Sequence, residues 1–572
     1  MINKQFRQLL FVTLFVLQNV MINAQHNKGI DKIDKLMEQE INHLFKSWDI
    51  DDTPGATVAI IKNNTIVFKG VYGFANLEFG IRNTPSTLFN IASNSKQFTA
   101  YALLNLVEEG KVALDDDIRK YIPELPDFGK TIKVKTLAQH THGIRGITYL
   151  LGMAGWNIED VISRKNVLTL LSQQKELNFT PETDFSYNNS GYMLLAELIE
   201  RASGKPFHQY LNEIIFLPLE MKNTVLFENN EKIIPNLASP YFFDGKSYKK
   251  GIRNSKDIVG NTGIRTSIED LSKWVINFER LKIGSKKLFD KLANTVILKN
   301  GDTLSYAFGQ RVSRYKGRKV ISHGGADAGY RSQILRFPDE KLSIIVLTND
   351  GSLNADEKAY TIADIYLDNK QTFGGRKSID TIQKPSRAVA KETLKRYVGK
   401  FELQPGFIME FNEKEEQLYI TATGQGTLPL ETINEKQFQI RRISATITFV
   451  KNKNGDFDTL IFNHNGQNSR GKRIKYHVDN SKLQEYTGFY YSPELRTTYE
   501  LILENGNLIA KHQRQEKTTL SPLDHHKFSG DTWFFGTLLF EEKDNKIKGF
   551  IATTDRVENL VFNKVYQPFT YQ

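Results

Sequence analysis

The stretch "FNIASNSKQFTAYALLNLVEEGKV", Phe89 to Val112, passes from an apolar extended run into a helical pattern. Leu88, Phe89 and Ile91 form the run, and Leu103, Leu104 and Val107 fall on one face of the helix, which reads as amphipathic. Ser93 and Lys96 stand at the change. A polar pair there is most simply a helix start, but the spacing also suits chemistry. Residues three apart on a helix are neighbours, so the Lys96 amine can reach the Ser93 hydroxyl. The Ser93 N–H lies in the positive field of the helix start. A lysine that is partly buried near other cations can be held neutral and accept a proton.

Ser-x-x-Lys alone is weak, since the chain contains it again at Ser172, Ser247, Ser313 and Ser469. Only Ser93 follows an extended run and opens a long helix. Two further elements occur later in the chain. Tyr187-x-Asn189 lies in "FSYNNSGYMLLAELIE", in a loop just before a helix, whereas the other Tyr-x-Asn, at Tyr210, lies inside a helical pattern. His323-Gly324-Gly325 ends a strand in "VISHGGADAGY", and its glycines let a substrate backbone approach a strand edge. Any one of these is more often structural than catalytic. Three in order, each at an element boundary, favour catalysis.

Outward from these motifs, "ATVAIIKNNTIVFKGVYG" reads as a hairpin turning at Asn63-Asn64. Helical periodicity dominates from about Ser95 to Leu298, and "TSIEDLSKWVINF" carries a capping box, Ser267 with Asp270. Strands return in "RKVISHGG", "YRSQILRFP" and "KLSIIVLTN". One sheet built from both ends of the region, with a helical block inserted, fits this order, so the expected class is α+β. The first domain spans 25–369. A polar stretch, 370–390, reads as a linker.

Beyond the linker come short alternating runs, and they repeat. "LKRYVGKFEL" at Leu394 recurs as "LQEYTGFYYS" at Leu483, "EQLYITA" as "GNLIAKH", and "EKQFQIRR" as "HHKFSGDT". Two small antiparallel β-barrels follow, 391–477 and 478–572, since closure removes exposed sheet edges. Their aromatic residues, Tyr397, Phe401, Tyr486 and Phe489, read as core.

The 572 residues leave room for roughly two to four domains. With no cysteine, disulfides, thiolate metal sites and a cysteine nucleophile are excluded. The net charge of +11 is spread among 65 acidic residues with no long basic run, so nucleic acid is not an expected partner. Residues 1–24 read as a signal peptide: Lys4 and Arg7, then Leu9 to Ile22, then Ala24 before a cut ahead of Gln25. The expectation is an exported protein, periplasmic or secreted, without stable membrane insertion after cleavage. His140-x-His142 could be a metal pair, but no third ligand is evident, and no metal or cofactor is expected.

These motifs resemble those of the penicillin-recognising serine hydrolases, on the side of class C β-lactamases, DD-peptidases and D-aminopeptidases. The resemblance runs from roughly Ile41 to Leu367 and rests on "FNIASNSKQFTA", "LAQHTHGIRG", "YNNSGYMLLAELIE", "TGIRTSIEDL" and "HGGADAGY". It implies an antiparallel sheet flanked by helices with the site in a cleft between them. Ser93 would be acylated, with Lys96 and Tyr187 moving the proton and His323 on the catalytic strand. Asn189, Gly324, Gly325 and Ala326 would bind substrate, the N–H groups of Ser93 and Ala326 forming the oxyanion hole. His323 stands where many members have lysine, which weakens the β-lactamase reading. His142 stands where serine is common. D-amino-acid peptides or amides, β-lactams and small esters all suit this apparatus, and cell-wall material is a possible neighbour. A catalytically inactive scaffold with ligand-binding barrels is the alternative of another class.

Overall fold

The computed structural model describes residues 35–567 except 158, 230, 253–256, 368–388, 405–406, 424–426, 441–444, 465–466 and 475–479. The expected signal peptide and nearly all of the expected linker lie outside the described residues.

The sheet of the first domain has six antiparallel strands, β1 (Ala56–Lys62), β2 (Thr65–Tyr72), β3 (Arg311–Tyr315), β4 (Arg318–Asp327), β5 (Tyr330–Phe337) and β6 (Leu342–Thr348), in the order β3-β4-β5-β6-β1-β2. β1 pairs with β6 from Ala56↔Thr348 to Lys62↔Leu342, joining the two ends of the region as expected. Asn63 and Asn64 turn the first hairpin with φ of 50° and 62°, a conformation asparagine tolerates better than most residues.

The central strands are apolar on both faces, and their period of two sorts side chains between two cores. Ala59, Ile61, Ile345 and Leu347 face the helical block. Val58, Ile60, Ile344 and Val346 face the opposite layer, with Phe45 and helix α6 (Ala355–Leu367). Burying each such isoleucine contributes about 1.5–3 kcal/mol.

Between β2 and β3 the chain forms helices α1 (Ser95–Glu108), α2 (Val134–Gln139), α3 (Ile147–Met153), α4 (Asn189–Ser203) and α5 (Ile268–Arg280). α1 is not the amphipathic helix that Leu103, Leu104 and Val107 suggested. Its buried residues run from Ser95 to Leu104 without a break, because other elements pack around it, including Trp274 of α5 stacked on Phe98 at 4.4 Å. The capping box is also half formed. Ser267 Oγ accepts from Asp270 N, but the Asp270 carboxylate turns away to accept from Asn223 N at 2.7 Å and Lys273 Nζ at 2.8 Å.

Both expected barrels are present. The second is closed, eight strands from Gly488 to Val565. The first is nearly closed: nine strands lie in one ladder whose ends, Leu428–Pro429 and Glu431–Asn434, are consecutive in the chain. In the second barrel the single strand Gln515–Asp524 occupies the corresponding place. Repeated segments take equivalent strands, Gln417–Ala422 matching Asn507–His512 and Gln437–Ile440 matching Lys527–Gly530. The four named barrel aromatics are core or partly buried, Tyr397 and Phe401 completely so.

Candidate active site

Ser93 lies in the turn Ala92–Asn94, immediately ahead of α1. Ala92 adopts φ of 48°, unusual for a residue with a Cβ, and Asn90 Oδ1 secures it by accepting from Ala92 N at 2.9 Å. Asn94 Nδ2 donates to Ser332 Oγ, which in turn donates to Ile91 O at 2.7 Å, fastening the turn to β5. The turn and β4 approach so closely that a Cβ on Gly325 would stand 2.3 Å from Ile91 O. Glycine is therefore required there by space.

Lys96 is 0% exposed, and its ammonium donates to Ser93 Oγ at 3.0 Å, Asn189 Oδ1 at 3.0 Å and Asn261 O at 2.9 Å. It also lies 5.0 Å from the Tyr187 ring centroid and 5.5 Å from that of Tyr192. Burial pushes its pKa down, Tyr187 opposes this, and the charge of Arg556 pushes it further down. A lysine so placed can alternate between donor and acceptor beside a hydroxyl.

α4 begins at Asn189, and Asn188 caps it by accepting from Ser190 N at 2.8 Å. The cap fixes the direction of Asn189 while Tyr187 remains in the loop, half-buried. His140, a left-handed residue ending α2, accepts from Asn188 N through Nδ1 at 3.1 Å, and its ring lies 4.4 Å from that of Tyr187. His142 Nδ1 likewise accepts from Ile144 N at 2.9 Å. The two histidines thus organise the loops behind Tyr187. Burial holds both neutral, with His142 lowered to about 3.

His323 is buried, with Nε2 3.0 Å from the Tyr306 hydroxyl and Nδ1 2.7 Å from Gly324 O. A carbonyl can only accept, so Nδ1 carries the hydrogen and Nε2 accepts from Tyr306. Burial, with Lys96 nearby, lowers its pKa to about 3. His323 therefore offers a neutral ring with both nitrogens engaged, not the positive charge of a lysine.

A cavity of about 180 Å³ opens beside Ser93. Ser93, Asn189, Asn261, Ala326 and Asp327 line its polar side, and Ile147, Leu151, Ile162 and Met193 part of its apolar wall. Trp533 reaches this wall from the second barrel. Asp327 Oδ2 accepts from Asn90 Nδ2 at 2.9 Å and Thr262 Oγ1 at 3.2 Å.

The structure thus brings together Ser93, Lys96 and Asn189 by direct hydrogen bonds and sets Tyr187 against them, with Ala326 on the cavity wall. Gly325 acts through close approach, while Gly324 is exposed on β4. Tyr306, Asn261, Asp327, Arg556 and Trp533 belong to the site or its lining but were not singled out from sequence, and His140, noticed there only as half of a metal pair, packs against Tyr187 instead. Among the described residues no cluster of three or more His, Asp or Glu side chains forms a metal site.

A beta-lactamase family model matches residues 32–367, more than half of the chain. The protein belongs to this family of serine hydrolases. It is similar to penicillin-binding protein 4* of Bacillus subtilis, 26% identical over 76% of this chain and 99% of that protein. It is also similar to the D-aminopeptidase of Brucella anthropi, 30% identical over 55% of this chain and 59% of that one. The chain therefore spans little more than half the length of the D-aminopeptidases it matches. Among solved structures, the octameric penicillin-binding protein homologue from Pyrococcus abyssi aligns with a TM-score of 0.53 at 21% identity, covering 85% of this chain and 99% of that one. A penicillin-binding protein from Bacillus halodurans aligns with a TM-score of 0.50 at 23% identity, covering 57% and 99%. At these identities the solved structures speak for the fold.

Proposed function

We propose that this protein is an exported hydrolase that acts on D-amino-acid-containing peptides or amides through an acyl-enzyme at Ser93. The observation that carries the reading is the 3.0 Å contact between Ser93 Oγ and the fully buried Lys96 Nζ, whose pKa is lowered by burial. Neutral Lys96 takes the Ser93 proton as Oγ attacks the substrate carbonyl. The N–H groups of Ser93 and Ala326 receive the developing negative charge. Tyr187, close to Lys96, returns a proton to the departing nitrogen, and Asn189 holds the substrate amide. Water then releases the acyl group by the reverse path.

The cavity supports the substrate class. Its lining residues include the carboxylate of Asp327 but no lysine or arginine, which suits an acyl portion bearing an amine beside an apolar side chain. The Bacillus subtilis and Brucella anthropi relatives, by their names a penicillin-binding protein and a D-aminopeptidase, support the same chemistry. The neutral His323 favours one second reading, hydrolysis of small uncharged esters.

The test compares the intact protein with Ser93→Ala and Lys96→Ala on D-alanyl p-nitroanilide, on a penicillin and on p-nitrophenyl acetate. Intact mass is followed alongside product. The expected result is turnover of the D-alanyl amide by the native protein alone. Turnover of the acetate only would move the assignment to the esterase reading. Undiminished turnover by Ser93→Ala would remove the nucleophile assignment altogether.

A further inference from the structure

The second barrel is bound into the catalytic loops at one turn. Between its last two strands, Lys546–Thr553 and Leu560–Val565, the chain lays Thr554–Asn559 against residues 145–178. Arg556 O accepts from Gly146 N at 2.7 Å and from Asn178 Nδ2 at 2.9 Å. Glu558 N donates to Asn178 Oδ1 at 2.9 Å. The Arg145 guanidinium donates to Glu558 O at 2.9 Å and Asn559 O at 3.0 Å. Within the turn, Thr554 Oγ1 accepts from Arg556 N at 3.1 Å and Val557 N at 3.0 Å. The backbone of Arg556 is thus held from both directions, and its side chain departs from a fixed point.

That side chain is directed to the catalytic tyrosine. Its Cζ lies 5.7 Å from the Tyr187 ring centroid and 5.7 Å from that of Tyr149. Its charge also reaches Lys96 and His140, lowering the pKa of both. Asp555 approaches Nε at 3.4 Å in a pair about one-third exposed, which water and salt weaken. A guanidinium has five N–H donors in a planar fork suited to a carboxylate.

The rest of the site makes this cation significant. His323 is neutral, and Asp327 on the cavity wall already interacts with Arg265 and Lys96, so neither supplies a cation for a substrate carboxylate. If Tyr187 passes the proton to the departing group, that group forms beside Arg556.

We propose that Arg556, supplied by the second barrel, binds a carboxylate on the leaving-group portion of the substrate. The proposal rests on the Ser93 acyl-enzyme reading and deepens it. The substrates selected are peptides whose departing residue ends in a free carboxylate. Ser93 Oγ–C forms, C–N breaks, the nitrogen takes a proton and the product leaves as an amino acid held by Arg556. Arg556 is a specificity residue and does not take part in bond making.

The experiment uses the full chain with two aryl acetates of one acyl group, 4-acetoxybenzoate and its methyl ester, which differ in leaving-group charge, each rate being taken relative to spontaneous hydrolysis to remove the difference in phenol acidity. The native protein should favour the acid in kcat/KM. With each variant measured on its high-pH plateau, where the shift of the Lys96 acid limb no longer enters, Arg556→Gln should lose about ten- to a hundredfold on the acid relative to the methyl ester, the worth of a charged hydrogen bond. Arg556→Lys should recover part of the loss. Equal losses on both esters, or an undiminished acid preference, would overturn the proposal. Binding supplies the same comparison without turnover. In the Ser93→Ala background, Arg556→Gln should weaken 4-hydroxybenzoate in calorimetry and leave methyl 4-hydroxybenzoate unaffected, and identical affinities with and without Arg556 would overturn it. Because binding needs no nucleophile, loss of the Ser93 assignment and loss of the Arg556 assignment would be seen separately.

Discussion

The two barrels come from one repeated sequence pattern, yet they are embedded in the molecule differently. The core of the second, including Tyr490, Phe550 and Phe562, runs continuously into the helical block of the catalytic domain. The core of the first, around Tyr397, Phe401 and Phe449, is a separate cluster. Their polar ties differ as well. Glu494 of the second barrel meets Arg145 at 2.6 Å with side chains 4% and 0% exposed, and it also accepts from Lys175 N at 2.8 Å. The first barrel reaches the second through Glu402 and Lys527, 3.4 Å apart and 25% and 31% exposed. The two barrels share a strand pattern, and residues between the strands of the second, Glu494 and Thr554–Asn559, tie it to the first domain.

The largest expected effect breaks the buried tie. Glu494→Ala strands the Arg145 guanidinium in a dry interface and should cost about 3–5 kcal/mol in denaturant unfolding. A cost below about 1 kcal/mol would mean that the second barrel is attached as loosely as the first.

The next prediction separates the barrels from the nucleophile turn. Gly325→Ala places a Cβ 2.3 Å from Ile91 O and should displace Ser93, lowering kcat by about a hundredfold. The fold is expected to persist, so an unchanged kcat would show that β4 and the turn can separate without consequence.

A third measurement distinguishes the barrels by charge. On the proposed mechanism Lys96 is the base in its neutral form, so kcat/KM should rise with pH through a pKa below the ordinary lysine value. Arg556 contributes to that lowering, and its removal lets Lys96 keep its proton to higher pH. Arg556→Gln should therefore move the acid limb upward in pH, whereas Glu402→Ala in the first barrel should leave it in place. A limb that does not move would remove the electrostatic link between the second barrel and Lys96.

The smallest effect is expected at the first barrel. Glu402→Ala breaks a partly exposed pair and should change stability by about 1 kcal/mol or less, with unaltered activity. A larger loss would make the two attachments alike.

Part of the site was legible because its signals are local. Ser93 and Lys96 are three residues apart, Tyr187 and Asn189 flank a helix start, and Gly324 and Gly325 follow a strand. Tyr306 carried no comparable signal and His140 only that of a metal pair, since they meet Tyr187 and His323 only when distant segments converge. Arg556 had an indirect one. In the sequence "TDRVEN" separates the last two strands of the second barrel, and that turn is the one that reaches the catalytic loops.

The sequence by itself determined the hairpin at Asn63-Asn64, the order of sheet and helical block, the repeated barrels and the placing of Ser93 with Lys96 at a helix start. Periodicity, turn residues and short spacings are properties of neighbouring residues. Tertiary structure alone decided that α1 is buried all round, that His323 is neutral and that Arg556 stands beside Tyr187. Burial, desolvation and the meeting of residues hundreds of positions apart depend on how the elements pack, and no local pattern records that packing.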